Sequence, residues 1–284
     1  MSPERVGVIG GGLMGSGIAE VFARAGCEVV VHEIDAGAAE AAQARIESSL
    51  AKAVERGKLE PPSLDQALAK ITVSTDLSDQ ADRELVIEAA SEKETLKLQI
   101  FADLDGIVTN PDAILASNTS SIPITRLASV TRRPDHVVGL HFFNPVPVMT
   151  LVELVTTVKT APEVSARART YAEGVGKTVI ESKDRAGFIV NMLLVPYILG
   201  AIKMLEAGFA TREDIDAGMR LGANHPMGPL ELSDFVGLDT MKLIADVLFD
   251  EFKDPMYASP PLLTRLVEAG LLGRKTGRGF YEYG

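Results

Sequence analysis

The sequence has 284 residues, of which 46% are hydrophobic and 24% charged, as is ordinary for a globular protein with one large domain or two smaller ones. Its net charge of −11 argues against nucleic-acid binding, which needs a basic face. The single cysteine, Cys27, excludes an internal disulfide and fits a reducing compartment.

Two segments bear on targeting and membrane association. The first residues lack the charged, apolar and small-residue regions of a signal peptide, because a strand-like stretch begins by Arg5. The most apolar segment, residues 187–205, is interrupted by Asn191, Pro196 and Lys203, which favours a buried helix over a membrane span. We therefore expect a cytoplasmic protein that does not cross a membrane.

Strand and helix patterns alternate up to about Lys183. The apolar runs predicted as strands are, in chain order, RVGVI, EVVVHEID, ITVSTD, ELVIEAAS, AILASNT and HVVGLHF. The helix-like segments between them include SGIAEVFARAG, Ala36–Arg56 and Glu94–Leu104. Strands that alternate with helices of this length indicate a mostly parallel sheet covered on both faces, which is the α/β Rossmann-type class.

Beyond that point the strand patterns stop and helical patterns take over. The predicted helices are Phe188–Glu206, Thr211–Leu221, Leu238–Phe252 and Leu262–Ala269. Thr211 followed by two acidic residues is typical of a helix start. We therefore predict a Rossmann-type dinucleotide-binding domain over residues 1–185 and an all-α domain over residues 186–284.

The segment after the first predicted strand reads GGGLMG, in which Gly10, Gly12 and Gly15 match the pattern G-x-G-x-x-G. The pattern is weak alone, but here it follows a strand and opens a helix, as a dinucleotide-binding loop requires. The glycines permit a tight turn, close approach to a pyrophosphate and close helix–strand packing, and the helix N-terminus favours the phosphates. The residues of this predicted loop are Gly10, Gly11, Gly12, Leu13, Met14 and Gly15.

An acidic residue at the end of the second strand predicts the cofactor. Glu33 lies near the spacing expected for a carboxylate that binds the adenosine ribose, where it would repel a 2′-phosphate. No basic residue follows it before Arg45. NAD is therefore favoured over NADP. Asp35 is the competing acid, but its position also suits an N-cap of the next helix.

The stretch HFFNPVPVMTLVELV places His141 and Glu153 in otherwise apolar surroundings. If the two strand-like halves pair as a hairpin centred on Pro147, the two side chains lie opposite each other on one face. A carboxylate beside an imidazole fixes its tautomer, which suits a general base that removes a hydroxyl proton. A satisfied core histidine and a solvated carboxylate are the structural alternative.

Seven motifs together resemble one family, the 3-hydroxyacyl-CoA dehydrogenases. They are, in order, GGGLMGSGIAE, ASNTSSI, GLHFFNPVPVM, LVELV, GFIVNMLLVPY, NHPMGPLELSDFVGLD and GRKTGRGFY. The resemblance covers about Arg5 to Tyr283, and the length is most like that of the bacterial short-chain members. It implies reversible oxidation of a (3S)-3-hydroxyacyl-CoA, expected to be 3-hydroxybutyryl-CoA, to the 3-oxoacyl-CoA by NAD. It also implies a homodimer, and the sequence gives no sign of a catalytic metal.

The resemblance assigns a role to each matching residue. His141 matches the catalytic base and Glu153 the carboxylate that orients it, while Ser120 and Asn191 match the groups that hold the substrate oxygen. Beyond the glycine loop, the implied cofactor contacts are Glu33, Glu92, Lys97, Ser117, Asn144 and Lys275. The implied acyl-CoA contacts are Ser49, Arg56, Ser120 and Asn191, and we predict Lys52 as a further contact from its charge. At the position of Arg56 the family often has lysine, so the positive charge is kept. Lys52 adds a second positive charge nearby, and an anionic CoA needs such local charge.

Structural roles remain open for several of these residues. Ser120 also suits a turn, Asn191 a helix start, and Lys52 and Arg56 a solvated helix face. Lys97 and Lys275 are ordinary surface residues by sequence alone. Two other functions also remain open: a dehydrogenase of free 3-hydroxy acids, which would use a lysine base, and a non-catalytic NAD-binding or structural protein on this scaffold.

Overall fold

The computed structural model describes residues 3–284 and divides into two compact units, one ending at Arg185 and the other spanning Ala186–Gly284. The first unit is built on one sheet. Its strands are β1 (Arg5–Ile9), β2 (Glu28–His32), β3 (Ile71–Ser74), β4 (Leu85–Glu88), β5 (Ile114–Ser117), β6 (Val137–Phe142), β7 (Leu151–Thr156) and β8 (Thr178–Lys183).

The spatial order of the strands is β3-β2-β1-β4-β5-β6-β7-β8. Strands β1 to β6 run parallel, β7 pairs with β6 antiparallel, and β8 is parallel to β7. The chain leaves β1 toward β2 and β3 and then returns to β4 on the other side. Such a reversal of strand order is where α/β folds bind dinucleotides.

Helices flank this sheet. Those of the first unit are α1 (Leu13–Arg24), α2 (Ala36–Glu55), α3 (Pro61–Leu68), α4 (Glu94–Ile107), α5 (Ile124–Ser129) and α6 (Pro162–Gly174). Every residue of β4, β5 and β6 is buried, as expected for central strands covered on both faces. The predicted Rossmann-type fold is therefore confirmed, and each of the six predicted strands is present.

The sequence did not predict α3, α6 or the edge strand β8. The last reads TVIESK and has only one fully buried residue, Val179, so it lacks the continuous apolar run of the central strands. An edge strand with one solvated face carries charge and is hard to distinguish from a loop. Strand β7, by contrast, lies where the assumed hairpin placed it.

The second unit is helical. Its helices are α7 (Val190–Glu206), α8 (Arg212–Gly222), α9 (Pro229–Val236), α10 (Leu238–Phe252) and α11 (Pro261–Glu268). Thr211 caps α8, accepting from the Asp214 amide at 3.1 Å, as its sequence predicted. The eight-residue α9 was missed, because only Gly237 separates it from α10 and it is too short to show a helical period. Among the described residues no helix is long and apolar enough to cross a bilayer.

Two buried aspartates hold the helical unit together. Asp216 on α8 accepts from the amides of Leu230 and Glu231 at the start of α9, at 2.8 and 2.9 Å. Asp234 on α9 is 1% exposed and accepts from the amides of Phe280 and Tyr281, both at 2.9 Å. The NHPMGPLELSD and GRGFY motifs thus meet at these carboxylates and have a structural explanation within this unit.

Candidate active site

The candidate site lies at the carboxyl ends of the parallel strands, where the chain leaves β1, β4, β5 and β6. Parallel strands end at the same edge of a sheet, and ligands of α/β folds bind outside that edge. The glycine loop follows β1, Glu92 follows β4, Ser120 follows β5 and Asn144 follows β6. Most of the polar residues predicted in the first unit are thereby brought to one edge by topology alone.

The glycine loop has the geometry that a dinucleotide needs. Gly10 has φ +91°, and a Cβ on Gly15 would lie 1.7 Å from the Gly10 carbonyl oxygen, so both positions require glycine. A Cβ on Gly12, in contrast, would meet no protein atom within 4 Å. Helix α1 begins immediately after Gly12 without a side-chain cap or an acidic residue in its first turn. The open face of Gly12 and the uncapped amides of α1 suit a pyrophosphate.

Glu33 lies directly after β2 and belongs to the same corner. Its Oε1 accepts from the Gly11 amide at 2.6 Å, which ties the acid to the glycine loop. Asp35, the competing acid, caps α2 by accepting from the Ala38 amide at 2.8 Å. These contacts leave Glu33 at the glycine loop and Asp35 occupied as an N-cap, and the role of Glu33 at the ribose stays a prediction. Arg45 donates from Nη1 to the Gly11 carbonyl oxygen at 3.1 Å, so a basic group also reaches this loop, which the sequence did not reveal.

His141 and Glu153 are paired residues of the antiparallel strands β6 and β7. The imidazole Nδ1 lies 2.7 Å from Oε2 of Glu153, and the two residues are 7% and 0% exposed. The hairpin assumed from sequence is therefore present with the expected register. A carboxylate at this distance accepts a hydrogen bond from Nδ1–H, and Nε2 then carries the lone pair of the neutral ring. The Phe143 ring packs 4.6 Å from the imidazole, measured between centroids.

A buried ionic network lies beneath the loop that follows β4. Lys97 on α4 is 1% exposed and donates to Oε1 of Glu88 at 2.6 Å, while Oε2 of Glu88 accepts from the Ser117 hydroxyl at 2.6 Å. The structural alternative for Lys97, an ordinary surface residue, is wrong. Glu88 was missed, although a glutamate inside the apolar run ELVIE is a signal, since a buried carboxylate needs a cationic partner nearby.

Glu92 organises the turn that carries Ser120. Its Oε1 accepts from the hydroxyls of Thr119 and Ser121, the latter at 2.9 Å, and from the Ser120 amide at 3.2 Å. Its Oε2 lies 3.3 Å from Nζ of Lys97. Burial opposes ionisation, but the charge of Lys97 and these hydrogen bonds outweigh it and lower the pKa of the Glu92 carboxyl. Glu92 thus contacts the turn directly, in addition to its predicted cofactor role.

The remaining predicted residues are spread over both units. Ser49 and Lys52 lie on one face of α2, and Arg56, the C-cap residue, continues this face at spacings of three and four residues. Ser49 is half-buried and the two basic residues are exposed. In the helical unit, Asn191 lies in the first turn of α7 and is buried. Lys275 is exposed and paired with Asp239, with Nζ–Oδ distances of 2.5 and 2.6 Å.

Comparison with known proteins agrees with this geometry. Residues 5–185 match the family model described as 3-hydroxyacyl-CoA dehydrogenase, NAD binding domain, and residues 187–283 match 3-hydroxyacyl-CoA dehydrogenase, C-terminal domain. The chain belongs to the 3-hydroxyacyl-CoA dehydrogenase family. The resemblance stated from sequence is thereby confirmed, and a nicotinamide dinucleotide is the family's cofactor class.

Individual family members are similar over their whole length. A 3-hydroxybutyryl-CoA dehydrogenase of Mycobacterium tuberculosis is 59% identical, covering 99% of this chain and 98% of the relative. The crystal structure of FadB2 from the same organism covers 100% of both chains with a TM-score of 0.98 and 57% identity. The (S)-3-hydroxybutyryl-CoA dehydrogenase PaaH1 of Ralstonia eutropha also covers 100% of both chains, with a TM-score of 0.94 and 46% identity.

Proposed function

We propose that this 3-hydroxyacyl-CoA dehydrogenase catalyses the reversible oxidation of (3S)-3-hydroxybutyryl-CoA to acetoacetyl-CoA with NAD. The observation that carries the proposal is the buried His141–Glu153 pair beside a dinucleotide-binding edge. The similarity to dehydrogenases named for 3-hydroxybutyryl-CoA supports the short acyl chain.

In the proposed mechanism His141 moves the hydroxyl proton. Because Glu153 accepts from Nδ1, the ring nitrogen that takes the proton from the C3 hydroxyl is Nε2. The imidazolium formed in that step is stabilised by the adjacent carboxylate, and it returns the proton when the reaction runs toward the alcohol. The chemistry that a bound nicotinamide supplies is acceptance of the hydride from C3.

Ser120 and Asn191 are proposed to hold the reacting oxygen. A hydroxyl and an amide donate hydrogen bonds to the partial negative charge that develops on the C3 oxygen or the thioester carbonyl. Glu92 supports the proposal for Ser120, because it binds both neighbouring hydroxyls and the Ser120 amide. Asn191 comes from the helical unit, to which we assign substrate binding, and the unit ending at Arg185 is assigned cofactor binding.

The proposed cofactor is NAD, with NADP the weaker ligand. The Glu33 carboxylate is held beside the glycine loop, where it suits ribose hydroxyls and repels a 2′-phosphate. We propose Glu92, Lys97, Ser117, Asn144 and Lys275 as further cofactor-site residues. Lys97 and Ser117 are buried and bonded to Glu88, so their part is to shape the site from beneath.

The proposed CoA contacts are Ser49, Lys52 and Arg56. Their shared face of α2 offers one hydroxyl and two exposed cations. These charges supply local attraction for an anionic CoA on a chain of net charge −11.

A spectrophotometric assay tests the function. The protein is mixed with acetoacetyl-CoA and NADH, and loss of absorbance at the NADH band is followed. We expect turnover with acetoacetyl-CoA, none with acetoacetate, and a lower kcat/KM with NADPH. Turnover of acetoacetate would point to a dehydrogenase of free acids, and no turnover of either substrate to a non-catalytic protein.

The His141→Gln variant tests the assignment of the base. Glutamine cannot accept the hydroxyl proton, and general-base action is worth about a hundred- to ten-thousandfold in rate. We expect kcat to fall at least about a hundredfold with NADH affinity unchanged. Near-wild-type turnover would overturn the role of His141.

We also propose that the protein is a homodimer formed through its helical unit. Large apolar side chains remain exposed there, including Leu193 on α7 at 72%, Leu243 on α10 at 50% and Phe209 at 78%. A second copy is the simplest apolar partner for such surfaces. Light scattering at micromolar concentration is expected to give twice the chain mass, and a monomer would contradict the proposal.

A further inference from the structure

The loop between β6 and β7 links the candidate base to the cofactor edge. It begins with Phe143, whose ring packs against His141, and continues with Asn144. Its middle is a turn in which the amides of Val148 and Met149 both donate to the Pro145 carbonyl oxygen at 2.9 Å. A loop this close to the imidazole affects the chemistry if it shifts.

Lys177 holds this loop by its main chain. The residue lies in the turn between α6 and β8 and is only 8% exposed. Its Nζ donates to the carbonyl oxygens of Val146 at 2.5 Å and Met149 at 2.8 Å. Both acceptors belong to the turn, so one ammonium fixes it at two points.

The charged surroundings of Lys177 do not explain why an ammonium is buried there. Burial lowers its pKa, Arg24 on α1 lowers it further, and Glu20 on α1 partly offsets both. Glu20 itself is paired with Arg24, with Oε1 3.2 Å from Nη1. The hydrogen bonds of the Lys177 ammonium instead go to the loop carbonyls, and buried charges are costly unless hydrogen-bonded in this way.

The other side of the loop is held by packing. A Cβ on Gly17 of α1 would lie 2.8 Å from Cβ of Val146, so the loop packs directly on the helix that follows the glycine loop. Packing of the Val146 side chain fixes the distance between the loop and α1. It leaves the carbonyl oxygens of Val146 and Met149 in need of hydrogen-bond donors. Lys177 supplies both hydrogen bonds.

The position of the loop decides which half of the cofactor it affects. A dinucleotide lies across the edge of such a sheet, with its adenosine over β2, where Glu33 is, and its other half over β4 to β6. The loop after β6 is therefore on the nicotinamide side. This step rests on the dinucleotide binding proposed above.

We propose that Lys177 is a positioning residue, whose buried ammonium clamps the loop 143–150 and thereby sets the nicotinamide side of the cofactor site. It touches neither substrate nor cofactor. It acts through the main chain of the loop that presents Phe143 to His141 and Asn144 to the cofactor.

The Lys177→Met variant tests the clamp, because methionine is nearly as long and apolar but donates no hydrogen bond. Affinity is measured for NADH, by its own fluorescence in a protein without tryptophan, and for ADP-ribose, by competition with NADH. ADP-ribose lacks the nicotinamide. Lys183→Met, at the exposed end of β8, is the matched control, Lys177→Arg is the conservative variant, and thermal melting monitors folding.

We expect Lys177→Met to weaken NADH binding at least tenfold, leave ADP-ribose affinity within twofold of wild type and lower kcat. Lys177→Arg should restore most of the NADH affinity, and Lys183→Met should match wild type. If Lys177→Met does not fold, Lys177→Gln undergoes the same titrations with the same expectations, with a smaller NADH effect.

Two results would overturn the clamp: unchanged NADH affinity, or an equal loss of NADH and ADP-ribose affinity, which would indicate a general structural defect. Neither measurement requires acyl-CoA turnover, so the clamp is tested separately from the substrate assignment. Wild-type protein that failed to bind NADH would overturn the proposed function, and the clamp with it.

Discussion

At the scale of single residues, carboxylates do much of the positioning around the candidate site. Glu153 orients His141, Glu92 organises the Ser120 turn and Glu88 anchors Lys97. Each is held by hydrogen bonds from named donors, so each has a defined contribution that a carboxamide would remove. The three differ in what they position: the proposed base, the turn that carries Ser120 and a buried cation.

The Glu153→Gln variant tests whether the Glu153 carboxylate orients the His141 ring, as opposed to only filling a buried position. The glutamine amide is almost the same size, but it neither fixes the Nδ1 tautomer nor stabilises the imidazolium. We expect kcat to fall about a hundredfold or more, with the affinity for NADH unchanged. Glu181→Gln, on the neighbouring strand β8 with a half-exposed side chain, is the control and should keep wild-type kcat. Equal kcat for both variants would contradict an orienting role.

The Glu92→Gln variant has a pH signature. The pKa of Glu92 in the folded protein is lowered from its ordinary value of 4.5, so its ionisation stabilises the fold above that pH. The stability difference between wild type and variant is therefore expected to be constant at neutral pH and to shrink as the pH falls below 4.5. Urea melts at several pH values measure it. A difference that grew on acidification would contradict the assigned direction.

At the scale of elements, the strands and helix starts with clear local sequence patterns were predicted correctly. The buried strands, the cap at Thr211 and the pairing of His141 with Glu153 were predicted because apolar runs and capping residues are local signals. The strand β8 and the helix α9 were missed, because the first is half solvated and the second too short. The contact of Arg45 with Gly11 spans 34 residues and depends on how α2 packs, which no local pattern shows.

The cap of α2 gives a prediction at this scale. Asp35 accepts from the Ala38 amide at the start of the helix that carries Ser49, Lys52 and Arg56. Replacing it with alanine leaves an amide unsatisfied and is expected to cost about 1 kcal/mol of unfolding free energy. Denaturant unfolding measures the change, and Asp65→Ala, an exposed position in α3, should change stability by less than about 0.5 kcal/mol. Equal losses would contradict the capping role.

At the scale of the whole molecule, the two units present different problems to sequence reasoning. In the first unit, two sequence features predict a function: a glycine loop between a strand and a helix, and a histidine–glutamate pair. In the second, Asp216 and Asp234 bind segments up to 65 residues away in the chain, and only the structure shows why those motifs are present. The resemblance to a family supplied residue roles there that periodicity did not.

The single cysteine reports on opening of the first unit. Cys27 is 2% exposed, and burial raises the pKa of its thiol to about 11, so it is neither accessible nor ionised at neutral pH. Labelling by a thiol reagent at pH 8 is expected only through transient unfolding. NADH at ten times its Kd should then slow labelling about elevenfold, because it binds the folded state. Labelling at the rate of an unfolded thiol, or unaffected by NADH, would contradict this.

The hydrogen bonds that Asp234 accepts have a consequence for the order in which the two units fold during synthesis. Its carboxylate accepts from the amides of Phe280 and Tyr281 and from the Tyr283 hydroxyl, which leave the ribosome more than forty residues after it. Until then a carboxylate that is 1% exposed in the finished fold has no such donors. All eight strands of the sheet in the first unit lie at or before Lys183. We therefore expect the first unit to fold during translation and the helical unit to close only near its end.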